Sequence, residues 1–294
     1  MDLASRKASV FFALDEGQVI GDLGARGNSP IADSKSNPYA AFHGVAVDPA
    51  HNVLVCDRQN KRIVALDRSG KVIREIPVMY PDAIALHPKS RALFVTTRVG
   101  NYHKKGELKL LKFNDWTKDA EPAVTVPLCQ VGTYPQRSFL AVCESRGDVV
   151  VWVAYTALPV RVYREAGGTL ELVKDFYEAG PQRALDLQHI TADPATDDVY
   201  VADGFGSCFK ASGWEAPRFV RCMRDAQTPL AAIGLAIDTR HRRLYARSHM
   251  SAVLRYRMEG QWFPPDPVGE TGSHAVTPRL CNDWRIGLGF GDRG

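Results

Sequence analysis

A strand–turn–strand pattern that returns along the whole chain limits this sequence more than any other feature. HGVAVDPAHNVLV, beginning at His43, reappears as DAIALHPKSRALFV from Asp82, as QHITADPATDDVYV from Gln188 and as IGLAIDTRHRRLYA from Ile233. SFLAVCESRGDVVVWV, from Ser138, is a degenerate copy. The copy within 43–77 is the cleanest. Its four short apolar runs, GVAV, NVLV, RIVAL and KVIREI, are broken at Asp48-Pro49, Gln59-Asn60 and Ser69-Gly70. Short Val- and Ile-rich runs bounded by Pro, Asn, Asp and Gly read as strands. Four of them with hairpin-length connections make one antiparallel sheet. A single sheet of this kind cannot bury both faces, so it needs neighbours like itself.

The repeat supplies those neighbours. First-strand starts fall at residues 43, 82, 138, 188 and 233, with a further candidate at Ile286, a mean spacing of about 49 residues. A period of that size with four strands per unit predicts a β-propeller. The 294 residues then hold six blades in one all-β domain, 1–294. The last blade is expected to be stitched from both ends of the chain. DLASRKASVFFALDEGQVIGDL (2–23) aligns on the last three strands of the 43–77 unit, and IGLGFGDRG (286–294) supplies the first strand. Residues 25–42 and 264–283 read as long Gly/Pro/Ser-rich connections between blades and as candidate binding loops.

Composition narrows the function classes. No run approaches about 18 apolar residues, so no membrane span is expected. Residues 1–12 lack the apolar core of a secretory signal, which favours a cytoplasmic protein over a secreted one. Net charge is +4, a mild basic bias that suits an anionic partner without requiring one. The six cysteines show no CxxC and no Cys/His metal spacing. Cys208 and Cys222 flank a turn symmetrically and read either as reduced, partly buried thiols or as a pair facing each other across a hairpin. P-loop, GxSxG, HExxH and Rossmann patterns are absent from the sequence.

The runs HGVAVDP and NVLVCDRQNKRI within 43–77 resemble an NHL repeat, clearly there and more loosely over 188–205 and 233–258. The resemblance implies a six-bladed propeller. It also implies a choice of activities, since such propellers include protein- and RNA-binding modules. Related six-bladed propellers, the peptide-amidating lyase and gluconolactonase-like ones, include metal-dependent lyases and lactonases.

Equivalent positions across the blades locate the chemistry. At the first-strand entrance stand His43, Asp82, Ser138, Gln188 with His189, Ile233 and Ile286. The amidating-lyase resemblance implies a zinc-binding His here on three blades. Only His43 is in register, Asp82 can ligate, and His189 is one residue out. Three readings follow: a zinc site, an oxygen-rich calcium site using His43, Asp82 and Gln188, or polar residues lining a channel. After the second strand stand Arg6, Arg58, Arg98, Tyr155, Gly204 and His249. The same resemblance implies roles near a metal for an Arg at Arg58 and a Tyr at Tyr155. Asp57 and Asp203, one residue earlier, are expected to fix the turn by accepting backbone amides.

Arg6, Arg58 and Arg98 come from adjacent blades and are expected to form a positive arc able to grip carboxylate or phosphate; the plainer reading pairs them with neighbouring acids. Tyr80 and Tyr134 precede first strands and can pack, or stack on a peptide or single-stranded RNA. The function expected is a binding module that captures a protein segment or anionic ligand with the arc, Gln188, His189, Tyr155, His249 and the long loops. The alternative is a metal-assisted lyase or hydrolase at the channel mouth. In it His43 and Asp82 hold a divalent ion, Tyr155 or His249 moves protons, and Arg58 binds a substrate carboxylate.

Overall fold

Each repeat closes into one four-stranded sheet because its Val/Ile runs are separated by turns that local side chains stabilise. A computed structural model describes residues 42–58, 60–101, 104–131, 138–155, 158–175, 187–203, 207–215, 220–224, 232–248, 253–266 and 275–277. The first blade holds β1 (Phe42–Val47), β2 (Val53–Asp57), β3 (Arg62–Leu66) and β4 (Val72–Pro77). The second holds β5 (Pro81–Leu86), β6 (Leu93–Asn101), β7 (Lys104–Phe113) and β8 (Val124–Val131). The third holds β9 (Ser138–Ser145), β10 (Asp148–Tyr155), β11 (Leu158–Ala166) and β12 (Thr169–Asp175). The fourth holds β13 (Leu187–Ala192), β14 (Asp198–Asp203), β15 (Ser207–Ser212) and β16 (Val220–Arg224). The fifth holds β17 (Ala232–Asp238), β18 (Arg243–Ser248), β19 (Val253–Arg257) and β20 (Ala275–Thr277).

All five sheets pair their strands antiparallel and in sequence order. The first strands of successive blades touch one another, β1 to β5, β5 to β9, β9 to β13 and β13 to β17. That is a β-propeller, with first strands innermost. The turn from β3 to β4 shows how local sequence sets a hairpin. The Asp67 carboxylate accepts the Ser69 and Lys71 amides at 2.8 and 3.0 Å, and Gly70 takes the positive φ of 87° that the turn requires.

The core lies between blades. Leu54, Cys56 and Ile63 of the first blade pack with Leu93, Val95 and Phe113 of the second. Phe94 and Leu110, on the second blade's other face, pack with Leu140, Val151 and Val153 of the third. Trp152 and Val162 meet Ile190, Val199 and Val201 of the fourth. Tyr200 and Cys208 meet Leu244, Leu254 and Tyr256 of the fifth. Both faces of each inner strand are thus covered, which is why LFV and VVVWV are continuous apolar runs with no in-out alternation. Each large side chain so covered contributes about 1.5–3 kcal/mol relative to exposure.

Two expectations change, and one falls outside the described residues. Six blades are expected and five are described; the stretches assigned to the sixth, 2–23 and 286–294, lie outside the described residues, as do most of residues 25–42. The segment 264–283 is more than a connection. After the turn at 259–263, Tyr256 forms a bridge with Pro265, and β20 supplies the fourth strand by pairing Ala275 with Leu254 and Thr277 with Val253. Gln261-Trp262-Phe263 reads as a strand in sequence, but Pro264 and Pro265, which lack amide donors, cut it short. Phe263 enters the core instead, its amide donating to the Cys222 carbonyl at 2.7 Å.

Cys208 and Cys222 are buried and are not joined by a disulfide. The bulge between β15 and β16 pairs Cys208 with Met223 and leaves Cys222 as the extra residue. The Cys222 Sγ donates to the Cys208 carbonyl at 3.3 Å. No helix among the described residues is long and apolar enough to cross a membrane.

Candidate ligand site at the first-strand entrance

The sequence register of the entrance positions holds in the backbone. The β1–β2, β5–β6, β13–β14 and β17–β18 ladders each shift by one residue there, between Phe42 and Val45, Pro81 and Ile84, Leu187 and His189, and Ala232 and Gly234. His43, Asp82, Gln188 and Ile233 therefore stand in bulges, where a strand re-aims its side chains. In the third blade the β9–β10 ladder runs without a bulge, and Ser138 pairs directly with Tyr155. Counting from Val55 and Val153, which pair with Val45 and Leu140, Tyr155 occupies the place of Asp57, one residue short of Arg58. β9 and β10 are longer than β1 and β2 and meet in a tighter turn at Arg146-Gly147, which conceals this shift in sequence. For His43, Gln188 and Tyr155 the described structure fixes the backbone position alone. Arg6, Gly204, Tyr134, His249 and Ile286 lie outside the described residues.

Arg58, Arg98 and Asp82 do come together, in an arrangement other than an open arc. Arg58 is 1% exposed. Its Nη1 donates to the Tyr80 carbonyl at 2.9 Å and lies 3.6 Å from Asp82 Oδ1; its Nη2 donates to the Arg98 carbonyl. Its guanidinium also sits 5.8 Å from the Tyr80 ring centroid, and Lys61 Nζ sits 5.4 Å from the same ring. Burial first, then the nearby Arg98 charge, pull the Arg58 pKa down to about 9, against the pull of Asp82. Arg98 Nη2 reaches Asp82 Oδ1 at 3.3 Å, with 14% of its side chain exposed.

Asp82 Oδ2 is occupied as well. It accepts the Ser138 amide at 2.9 Å and the Ser138 hydroxyl at 2.6 Å, and that hydroxyl lies 2.6 Å from Thr96 Oγ1. One carboxylate thus ties together the first three blades. This placement does not suit Asp82 as a metal ligand. A cation at Oδ1 would meet two guanidiniums already there, and like charges repel strongly where water is excluded. Among the described residues no group of three or more His, Cys, Asp or Glu side chains could hold a metal ion.

His189 joins blades. Its Nδ1 accepts the Leu235 amide of the fifth blade at 3.3 Å, and its ring lies 5.8 Å from the Phe139 ring of the third. Asp57 is buried and holds the β2–β3 turn through side chains, accepting Asn60 Nδ2 at 2.9 Å and Arg62 Nε at 2.9 Å. Sequence reasoning missed the roles of Thr96 and of the Tyr80 carbonyl, which no residue type announces.

No protein-family model matches the chain, and no curated protein does. Among solved structures it is similar to one described as a streptogramin B lyase structure, at 13% identity and a TM-score of 0.51. That likeness covers 81% of this chain and 72% of the other. At such identity it shows the fold, and the fold it shows is the β-propeller that the five sheets build.

Proposed function

We propose that this chain is an NHL-type propeller of six blades that acts as a binding module, capturing an anionic small molecule or a protein segment bearing a carboxylate at the first-strand entrance. The observation that carries the reading is the convergence of Arg58 and Arg98, from neighbouring blades, on a single oxygen of Asp82. Two guanidiniums around one carboxylate form a fixed positive centre. Arg98, the partly exposed member, is the group that meets a ligand, while Arg58 and Asp82 hold it in place.

Burial on the outermost blade faces supports the sixth blade. Val64 is 0% and Leu66 3% exposed on the face of the first blade turned away from the second, in a cluster that contains first-blade residues alone. Tyr245 and Val253, on the fifth blade's far face, are 3% and 5% exposed.

The test is titration of wild type and Arg98→Gln with citrate, inorganic phosphate and an acidic peptide, read by calorimetry. Wild type should bind at least one of the three, and Arg98→Gln should lose that binding while melting normally. Absence of binding by wild type, or equal binding by the variant, overturns the reading. The alternative, a metal-assisted lyase or hydrolase, requires an ion near Asp82 against the charge of both arginines.

A further inference from the structure

The turn between the first and second strands carries an aspartate at the same place in three blades. Asp48 accepts the Asn52 amide at 2.7 Å, Asp193 the Ala195 amide at 3.0 Å, and Asp238 the His241 amide at 3.0 Å. The second blade puts His87 there. Its Nδ1 does the same work, accepting the Ser90 amide at 3.0 Å and the Lys89 amide at 3.3 Å. A nitrogen that accepts two amide hydrogens carries no proton of its own, so the neutral ring holds its hydrogen on Nε2. That nitrogen lies 3.3 Å from Glu144 Oε1 on β9 of the next blade. Lys89 pairs with the other oxygen of the same carboxylate.

From this substitution we infer that His87 is an acid-released latch: protonation of its ring opens the β5–β6 turn and loosens the contact between the second and third blades. An aspartate stays an acceptor until the pH approaches about 4, whereas a histidine ceases to be one near about 6.5. A proton on Nδ1 would point at the Lys89 and Ser90 amides, so both amides lose their acceptor and the ring must leave. The surrounding charges set the balance. His87 is 4% exposed, and burial pulls its pKa down; Glu144 and Glu165 pull it up, and Lys89 and Lys112 pull it down. Glu144 is shared with Lys89, and Glu165 on β11 is shared with Lys112 on β7, which weakens the pull of both acids. Asp197, from the corresponding turn of the fourth blade, lies near enough to Glu144 and Lys89 to feel both charges.

The sign follows from the lowered pKa. The open turn binds a proton at higher pH than the closed one, so closure is complete above about pH 6.5 and weakens as pH falls from there through the lowered native pKa. One proton is involved, so the opening equilibrium should rise about tenfold per pH unit across that window.

Hydrogen exchange by mass spectrometry on the full chain tests this, with rates corrected for the intrinsic pH dependence of amides. Peptides covering 87–92 should lose protection below about pH 6.5, while peptides covering 48–53, 193–198 and 238–243 keep theirs. His87→Asp, which restores the cap of the other blades, should make 87–92 behave like them. Glu144→Gln, which leaves the turn itself intact, serves as a second variant. It removes the acid that favours the protonated ring in the closed turn, so it should leave the onset at about pH 6.5 and extend the loss of protection to lower pH. Equal pH profiles for all four turns, or an unchanged profile in His87→Asp, overturns the inference.

Discussion

Removing the carboxylate of Asp82 should be among the most damaging single changes available to this fold. Asp82→Ala would leave the Arg58 guanidinium, 1% exposed, beside Arg98 with no negative charge between them. It would also strip the acceptor from the Ser138 amide and hydroxyl. Breaking a buried ion pair from one side costs about 3–5 kcal/mol, because the remaining charge stays desolvated. For 294 residues, an unfolding entropy of about 2.1 cal/mol/K per residue gives about 0.6 kcal/mol/K, so the midpoint should fall by about 5–8 °C. Thermal unfolding followed by the fluorescence of the buried Trp116 and Trp152 measures this directly. Asp82→Asn, which keeps an acceptor for Ser138 but no charge, should fall between the two. Glu75→Gln, at a pair whose acid is 52% exposed, should melt with wild type. If Asp82→Ala also melts with wild type, the carboxylate is solvated, and its assignment as the tie between three blades is wrong. An ion-binding or channel-lining aspartate predicts that result in metal-free protein, so the measurement separates the structural role from both alternatives.

Gly44→Ala should cost about 1–3 kcal/mol in denaturant unfolding, because the added Cβ would lie 2.8 Å from both the Ile84 amide nitrogen and its Cγ2; wild-type stability would show that the first two blades can part at no cost. Native protein at neutral pH should leave Cys56 and Cys143 unlabelled by a thiol reagent, since burial pushes both thiols up, Cys143 to about 12. After unfolding without reductant Cys208 and Cys222 should both take up label, and a mass showing them linked would contradict their assignment as reduced thiols.

The blade plan was legible because it rests on residue types. Val and Ile runs, Asp-Pro and Ser-Gly turns and a period near 49 residues identify strands, turns and their return, and first strands expected at 43, 82, 138, 188 and 233 begin within one residue of those positions. The plan failed where a local feature depends on what is missing. The fifth blade's outer strand reads as Gln261-Trp262-Phe263, yet Pro264 and Pro265 offer no donors; β19 is instead bridged at Pro265 and then paired by β20 from Ala275. Tyr155 stands one residue short of the Arg58 position because β9 and β10 are longer strands joined by a tighter turn and their ladder lacks the entrance bulge. Neither change alters the apolar pattern, so periodicity alone could not report them.

The candidate site was legible in its members and illegible in its wiring. Arg58 follows a strand and precedes a polar turn, which in sequence reads as a solvated arginine. In the fold the chain returns over it after β4, and two of its strongest acceptors are the carbonyls of Tyr80 and Arg98. Every residue carries a carbonyl, so no pattern of side chains can announce such a partner. Asp82 posed the converse problem, since its acidity suited a metal as well as an arginine, and only the position of two guanidiniums on one oxygen decides between them. His87 differs from both. Its partners are also backbone groups, but the position has equivalents in other blades, and aligning HP at 87 with DP at 48 and 193 shows a titrating side chain where the repeat otherwise places an aspartate. In a repeat fold, the residue that breaks a conserved local role is therefore more informative than a charged residue at a site with no internal equivalent to compare it with.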